Sequence, residues 1–555
     1  MKNLKNYIVF FITLFAVTNL QGQGLETVKA IPANDFLKSI GVNSAISGRG
    51  ENINSTITCI EYLGARYIRS GVPGGDLRLA HQKRLYDECN VRFSISLPTN
   101  GDASGTYPGG IPLVVEGSKE ILAKIAPDAI IAFEGCNEPN NWGNFYQGEI
   151  GGGSYRGSAG MHSWKPLARY HRDFYKAVRE VEAFDDIPVW SATDVGAAWE
   201  NVGMHFLEIP EGAVGVDPEF PAGTKFADVA CVHNYLTNPN SNNQVWNVSG
   251  INGNNSLMAN FGTTWRDKYQ GHTTEQLEKL RRATTETGTT INAPAVTEEY
   301  QGRIYTTCYL SQFARGFEYT AMYILRDRID EGGNQTFGFY APGYKPRLAA
   351  HFLHNMTTVL KDDVSIENPG TLTYGLSSRP VTLHELLFQK NDGTMMLVIW
   401  GEKFARGATA DNVTVTFGET HKKINVYNPI QYNENDPTIG KRPVATYDDV
   451  SSIDLAVFNH PFIIEIDPKT TSINDVEDNG KSVVLVTNPV EDEIYIASPE
   501  KIKQLQLVDL TGKLVMQQGN VESGILNVSS LPKGNYILQV EKNNGTTETH
   551  KIIKM

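Results

Sequence analysis

The sequence predicts an α/β protein: a (β/α)8 TIM barrel, then a small antiparallel β-sandwich, then a C-terminal Ig-like β-sandwich. Three observations carry this. Across roughly residues 35–360, eight short apolar or β-branched runs alternate with longer segments of helical pattern, the sequence form of a parallel βα barrel. Residues 361–467 change to short strand-like runs parted by polar turns. A polar, turn-rich linker at 468–480 then separates a last block of β-like runs at 481–555.

The eight barrel runs are Ser39–Ala45, Ala65–Ser70, Arg92–Leu97, Ala129–Glu134, Pro188–Ala192, Val229–His233, Ala293–Glu298 and Tyr319–Leu325. Pro166–Val181 and Thr274–Thr287 read as helices between them. A doubly wound open sheet is the alternative, but no Gly-rich phosphate turn follows the first run. The second module rests on Met395–Trp400, Asn412–Phe417, Lys423–Tyr427 and Phe462–Ile466, and bracing the barrel is its expected task. In the tail, Val483–Val486, Glu493–Ile496, Lys503–Asp509, Ile525–Val528 and Tyr536–Glu541 read as strands.

The chain's 555 residues allow two or three domains, and 40% hydrophobic with 20% charged residues is a globular composition. A formal net charge of -13 argues against nucleic-acid binding. A basic start, an apolar run from Ile8 to Val17 and Gln21-Gly22-Gln23 read as a signal peptide over residues 1–22. No later stretch is long and apolar enough for a membrane span, so none is expected in the mature protein. The five cysteines are widely spaced and form no zinc pattern; Cys59–Cys89 is one pair that export would permit.

The chemistry is expected where carboxylates follow β-runs, because barrel active sites lie at the C-terminal strand ends. Ile130–Phe133 leads through Glu134 into Asn137-Glu138-Pro139. Pro139 cannot continue a central strand, so Glu138 is placed at the strand-to-loop transition. Trp142 or another ring would screen it from water and keep it protonated near neutrality. Ala293–Thr297 leads into Glu298-Glu299, of which strand alternation lets only one face the barrel mouth. Two such acids are what glycoside hydrolysis needs. Arg69 would keep a nearby carboxylate ionised, Asn137 and His233 would bind sugar, and Tyr235 would orient the nucleophile. Trp142, Trp246 and Trp265 are sugar-platform or packing residues. Arg303, Arg326 and Arg328 could read anionic groups on a glycan or form ordinary ion pairs.

On Arg69, Asn137-Glu138-Pro139, His233-Asn-Tyr235 and Thr297-Glu298, the barrel resembles clan A of the glycoside hydrolases, the retaining (β/α)8 enzymes. Gly338–Leu353 resembles that clan's end-of-barrel region. The resemblance implies Glu138 as acid/base and Glu298 as nucleophile. Export suggests an extracellular polysaccharide as substrate, and a two-carboxylate mechanism needs no metal or organic cofactor. The sequence departs from some clan members at Phe93–Pro98, which lacks a His, and at Tyr323–Asp327, which lacks a Trp. The tail resembles the type A sorting domain of the type IX secretion system at Asn488-Pro489, Leu507–Lys513, Leu531–Tyr536 and Lys551–Lys554. That implies the type IX machinery as partner. It also implies passage through periplasm and outer membrane of a Gram-negative bacterium, to the surface or beyond. The expected function is a secreted retaining β-glycoside hydrolase, endo-acting on an extracellular polysaccharide. A noncatalytic carbohydrate-binding or adhesin protein on the same scaffold, and a transglycosylase, are the rival readings.

Overall fold

A computed structural model of the chain describes residues 24–467 apart from 73–74, 99–109, 153–164, 196–206, 210, 212–216, 236–279, 293–295, 331–334 and 405–406. In the tail it describes 484–485, 490, 493–497, 502–509, 513–521, 524–543, 545 and 547–554. The expected signal peptide, the linker, Trp246 and Trp265 lie outside the described residues, as does most of the Asn- and Gly-rich 234–262 segment.

The barrel strands are β1 (Ile40–Asn43), β2 (Tyr67–Ser70), β3 (Arg92–Ser96), β4 (Ile130–Glu134), β5 (Val189–Trp190), β6 (Ala230–His233), β7 (Arg282–Thr287) and β8 (Phe317–Met322). All neighbours pair in parallel, β8 returns to β1, and a Trp190–Val229 bridge joins β5 to β6, so the sheet closes. The helices α1 (Ile53–Leu63), α2 (Asp76–Cys89), α3 (Gly110–Lys124), α4 (Lys165–Arg179), α5 (Glu298–Ala314) and α6 (Leu348–Val359) are among those outside it. Each strand must bury both faces. Outward residues such as Ile68, Phe93, Ile95 and Phe133 join the helix-facing core. Inward ones build an apolar plug of Tyr67, Ala132, Trp190, Val229, Cys231, Ala283 and Ala321.

Strand seven differs from the sequence expectation. Arg282–Thr287 lay in a predicted helix, and Ala293–Glu298 was the predicted strand. The segment Arg-Ala-Thr-Thr-Glu-Thr carries one apolar residue, so it lacks the usual signature of a buried strand. Its threonines are nevertheless β-branched and fully buried, with their hydroxyls bonded, Thr285 to Glu134 inside the barrel and Thr284 and Thr287 to Asn234. Thr297, by contrast, is a helix N-cap: its hydroxyl accepts from the Tyr300 N–H at 3.1 Å, and Glu298 and Glu299 fill the first turn of α5. Acids there complement the helix dipole.

The second module is an eight-stranded sheet. It recruits Glu26–Lys29 and Ile31–Pro32 from ahead of the barrel, which pair with Thr371–Leu376 and Leu383–Gln389. Asp411–Tyr427 bends between Thr416 and His421, pairing first with Thr371–Leu376 and then with Pro461–Ile466. Met395–Gly401 is apolar throughout because both faces are covered. Met396, Val398 and Trp400 pack on the barrel side, Leu397 and Ile399 in the module's own core. Trp400 Nε1 donates to Ser311 Oγ of α5 at 2.9 Å, and Phe36 stacks on Phe388 at 5.2 Å. Arg315, at the end of α5, forks onto the fully buried Glu402 at 2.6 and 2.7 Å. Burial opposes that carboxylate's charge, but Arg315 and His384 outweigh it and hold its pKa well below the ordinary value.

The tail is a unit of its own, with two antiparallel sheets. One contains Val484–Leu485, Glu493–Ala497 and Gly524–Asn527; the other contains Ile502–Asp509, Leu514–Val521, Gly534–Lys542 and Thr547–Lys554. Ile494, Leu505, Leu507, Leu538, Val540 and Ile552 lie in their common core. All five cysteines are free thiols, so the suggested Cys59–Cys89 bridge is not formed. Among the described residues no helix is long and apolar enough to cross a membrane.

Burial leaves His171 of α4 and His460 of the second module with pKa values of about 3; Arg303 adds to the effect at His460. An unfolded histidine titrates near 6.5. Their folded values are depressed, so the stability they contribute is present above about pH 6.5 and falls as pH drops through the window towards 3. We expect unfolding between about pH 6.5 and 5 to take up additional protons, most carboxylates being ionised in both states there. Calorimetry in buffers of different ionisation enthalpy checks this; zero proton uptake would contradict it.

Candidate active site

The site is built at the C-terminal ends of β2, β4, β6 and β7, above the apolar plug. Glu138 lies four residues beyond β4. It adopts φ 43°, ψ 55°, a left-handed conformation costing a non-glycine residue about 1–3 kcal/mol. Its N–H donates to Thr193 O at 3.0 Å, beside an Asn137–Thr193 bridge, and its carbonyl accepts from Trp142 N–H at 3.1 Å. Those bonds hold the strained turn and point the carboxyl into the barrel mouth. There its Oε1 is 3.0 Å from His233 Nδ1, and Trp142 Nε1 donates to its Oε2 at 3.2 Å.

The second carboxylate is Glu286. In register, Val232 faces Thr284 but His233 faces Glu286, so β7 carries one extra residue at this point. Strict alternation would send Thr285 and Glu286 to opposite sides; the bulge lets both turn inward. Gly288 ends the strand at φ 145°, where a Cβ would lie 2.9 Å from both Tyr305 Oη and Tyr323 O.

Arg69 organises the pair. Its guanidinium donates to Glu134 through Nε at 2.9 and 3.0 Å and to Asn137 Oδ1 at 2.7 Å, and it grips Glu286 Oε1. Tyr235 Oη donates to Glu286 Oε2 at 2.6 Å. Burial works against the Arg69 charge, but Glu134 and Glu286 together push its pKa up, so it stays cationic. Burial, with Glu286 second, pushes the Tyr235 phenol well above its ordinary value and keeps it a donor. One nitrogen of His233 and one oxygen each from Glu138 and Glu286 all lie within 4.8 Å of one another. A cation could sit among these donors only in competition with Arg69, whose charge already serves Glu286.

The structure therefore brings together Arg69, Asn137, Glu138, Trp142, His233 and Tyr235. It does not bring Glu298. That residue opens α5 with its side chain 46% exposed, and Arg347 Nε stands 3.4 Å from it. Glu299 pairs with Arg303 along the same helix. Sequence reasoning missed Glu286 and Glu134. Glu134 carries no loop signal, being the last residue of β4. Glu286 had one, a β-branched Thr284-Thr285 pair running into an acid and then Gly288. The arginines offered as anion readers are engaged elsewhere: Arg303 with Glu299 and Asn459, Arg326 with Arg49 O, and Arg328 with Asp330.

Comparison with known proteins bears on the two units separately. Residues 487–555 match the family described as the secretion system C-terminal sorting domain. A search of curated proteins returned no match. Among solved structures, a family 39 glycoside hydrolase from the gut symbiont Bacteroides cellulosilyticus WH2 superposes with TM-score 0.50 at 14% identity, covering 78% of this chain and 82% of its own. A GH51 arabinofuranosidase from Xanthomonas axonopodis pv. citri gives 0.44 at 10% identity, covering 80% and 100%. An endo-β1,6-glucanase gives 0.43 at 11%, covering 77% and 91%. The chain carries at 487–555 a type IX secretion sorting domain, which marks it for the cell surface or beyond, and ahead of that tail it has a (β/α)8 fold similar to that of the family 39 glycoside hydrolase.

Proposed function

We propose that this protein is a secreted retaining β-glycoside hydrolase, with Glu138 as acid/base and Glu286, in place of the expected Glu298, as nucleophile. One observation carries the reading: two buried or nearly buried carboxylates face each other at the barrel mouth, with oxygens within 4.8 Å. Retaining enzymes hold their carboxyl groups about 5–5.5 Å apart, whereas inversion needs roughly 6.5–9.5 Å to admit a water.

The two acids have environments suited to different tasks. Glu286 accepts from Arg69 and Tyr235, which favour its anion and aim it, as a nucleophile requires. Glu138 meets the His233 ring and the Trp142 indole. It protonates the leaving oxygen as Glu286 attacks the anomeric carbon. It then takes a proton from the water that releases the sugar. Trp142 is 55% exposed beside Glu138 and offers a face for a sugar ring. With the export tail, this favours endo attack on an extracellular polymer, the partner the chain would meet outside the cell.

The test is a panel of plant and algal polysaccharides, read by reducing-sugar release and by NMR of the first-formed anomer. The expected product retains its configuration. Glu138→Gln should slow hydrolysis of an unactivated glycan about 100- to 10,000-fold. An inverted first product would reject the mechanism, and full activity in the variant would reject the assignment of Glu138.

A further inference from the structure

Thr285 has no part in the reading so far, yet it connects the acid/base to the floor of the site. It is fully buried at the bulge of β7. Its hydroxyl donates to Glu134 Oε1 at 3.0 Å, the direction set by a carboxylate that Arg69 grips and that can only accept. With its hydrogen so committed, Oγ1 offers lone pairs to its other neighbours. His233 Nε2 lies 3.1 Å away and Cys231 Sγ 3.5 Å. A ring nitrogen facing that oxygen must carry hydrogen. A neutral imidazole protonated at Nε2 has a bare Nδ1, and this atom is 3.0 Å from Glu138 Oε1. The second carboxylate near Nδ1, Glu286 Oε2 at 3.5 Å, is already an acceptor for Tyr235, and Arg69 binds its other oxygen. Two acceptors 3.0 Å apart need a proton between them.

We propose that Thr285, oriented by Glu134, fixes His233 as the Nε2–H tautomer and so keeps the acid proton on Glu138 in the resting enzyme. The inference rests on Glu138 being the acid/base. Thr285 is a positioning residue acting through His233; it touches no substrate. When a glycan binds, its glycosidic oxygen replaces Nδ1 as acceptor. The Glu138 O–H bond breaks as the new O–H bond forms on the leaving oxygen. The electron pair of the cleaved C–O bond goes to that oxygen, and Glu138 remains as carboxylate. The proton taken later from water restores the contact with Nδ1.

Two measurements on the full chain test this. The first is histidine-selective nitrogen NMR at about pH 7, with the His233 signals assigned by their loss in His233→Gln. The wild type should show a protonated Nε2 and a bare Nδ1, and Thr285→Val should lose that preference. Thr285→Ser, which keeps the hydroxyl, should retain it. A wild-type Nδ1–H tautomer or a doubly protonated ring would overturn the proposal whether or not the protein hydrolyses anything. The second measurement is leaving-group dependence. Thr285→Val should slow an unactivated glycan about 10- to 100-fold but leave a dinitrophenyl glycoside, which needs no acid, within about threefold. Equal losses on both would also overturn it. If the tautomer is as expected but no glycan is cleaved, the proposed function fails instead.

Discussion

Glu286→Gln is expected to lower hydrolysis by about 10,000-fold or more, the scale of losing a covalent nucleophile. Glu298→Gln should leave the rate within about twofold, since a first-turn helix acid contributes some tenths of a kcal/mol to stability. The contrast follows from position alone. Glu286 stands at the end of a barrel strand, gripped by Arg69 and Tyr235, while Glu298 opens the first turn of an outer helix, half-exposed beside Arg347. The amide introduced by Glu286→Gln keeps the size of the side chain, so folding should be preserved and can be checked by the melting temperature. Comparable losses in the two variants, or a larger one in Glu298→Gln, would remove Glu286 from the mechanism.

Arg69→Leu should be the most damaging change to the site's framework. Glu134 is completely buried and receives Arg69 Nε on both oxygens, with Thr285 and Ser94 completing its shell. Removing the guanidinium leaves that charge uncompensated, at about 3–5 kcal/mol. It also strips Glu286 of its cation and Asn137 of a donor. Thermal unfolding should move down by several degrees, and activity should fall at least about 100-fold. Replacing both partners, Arg69→Leu with Glu134→Leu, removes the unpaired charge and should recover much of the stability without the activity. An Arg69→Leu protein that melts with the wild type would show that Glu134 is satisfied by other means.

Most of the fold was legible because a barrel imposes its pattern locally. Seven of the eight runs, from Ile40–Asn43 to Phe317–Met322, are apolar or β-branched stretches bounded by breakers, and a period-two segment buried on one side by helices must look that way. The seventh strand was illegible for a physical reason. Its helix-facing Thr284 and Thr287 bond Asn234, where other strands place valine, isoleucine or phenylalanine, and its inward end carries Thr285 and Glu286. The segment then reads as amphipathic rather than buried. Thr297-Glu298-Glu299 was misread in the opposite sense, since a short β-like run ending in acids and a helix start beginning with an N-cap share the same letters. The second module was legible as β structure. Its claim on Glu26–Lys29 and Ile31–Pro32 was not, because strand pairing over more than 300 residues leaves no local mark.

The sequence by itself determined the architecture and the sorting tail, and it pointed to one acid of the proposed pair. Glu138 follows from a strand run into Asn-Glu-Pro, where proline ends the strand at the only place a barrel puts chemistry. Only the tertiary structure brought the other carboxylate, Glu286, to its side. The setting of Glu286, the proposed nucleophile, comes from Arg69, Tyr235 and a one-residue bulge, contributed by segments separated by as many as 217 residues. Those contacts are distances in space, and nothing in the spacing of the letters fixes them.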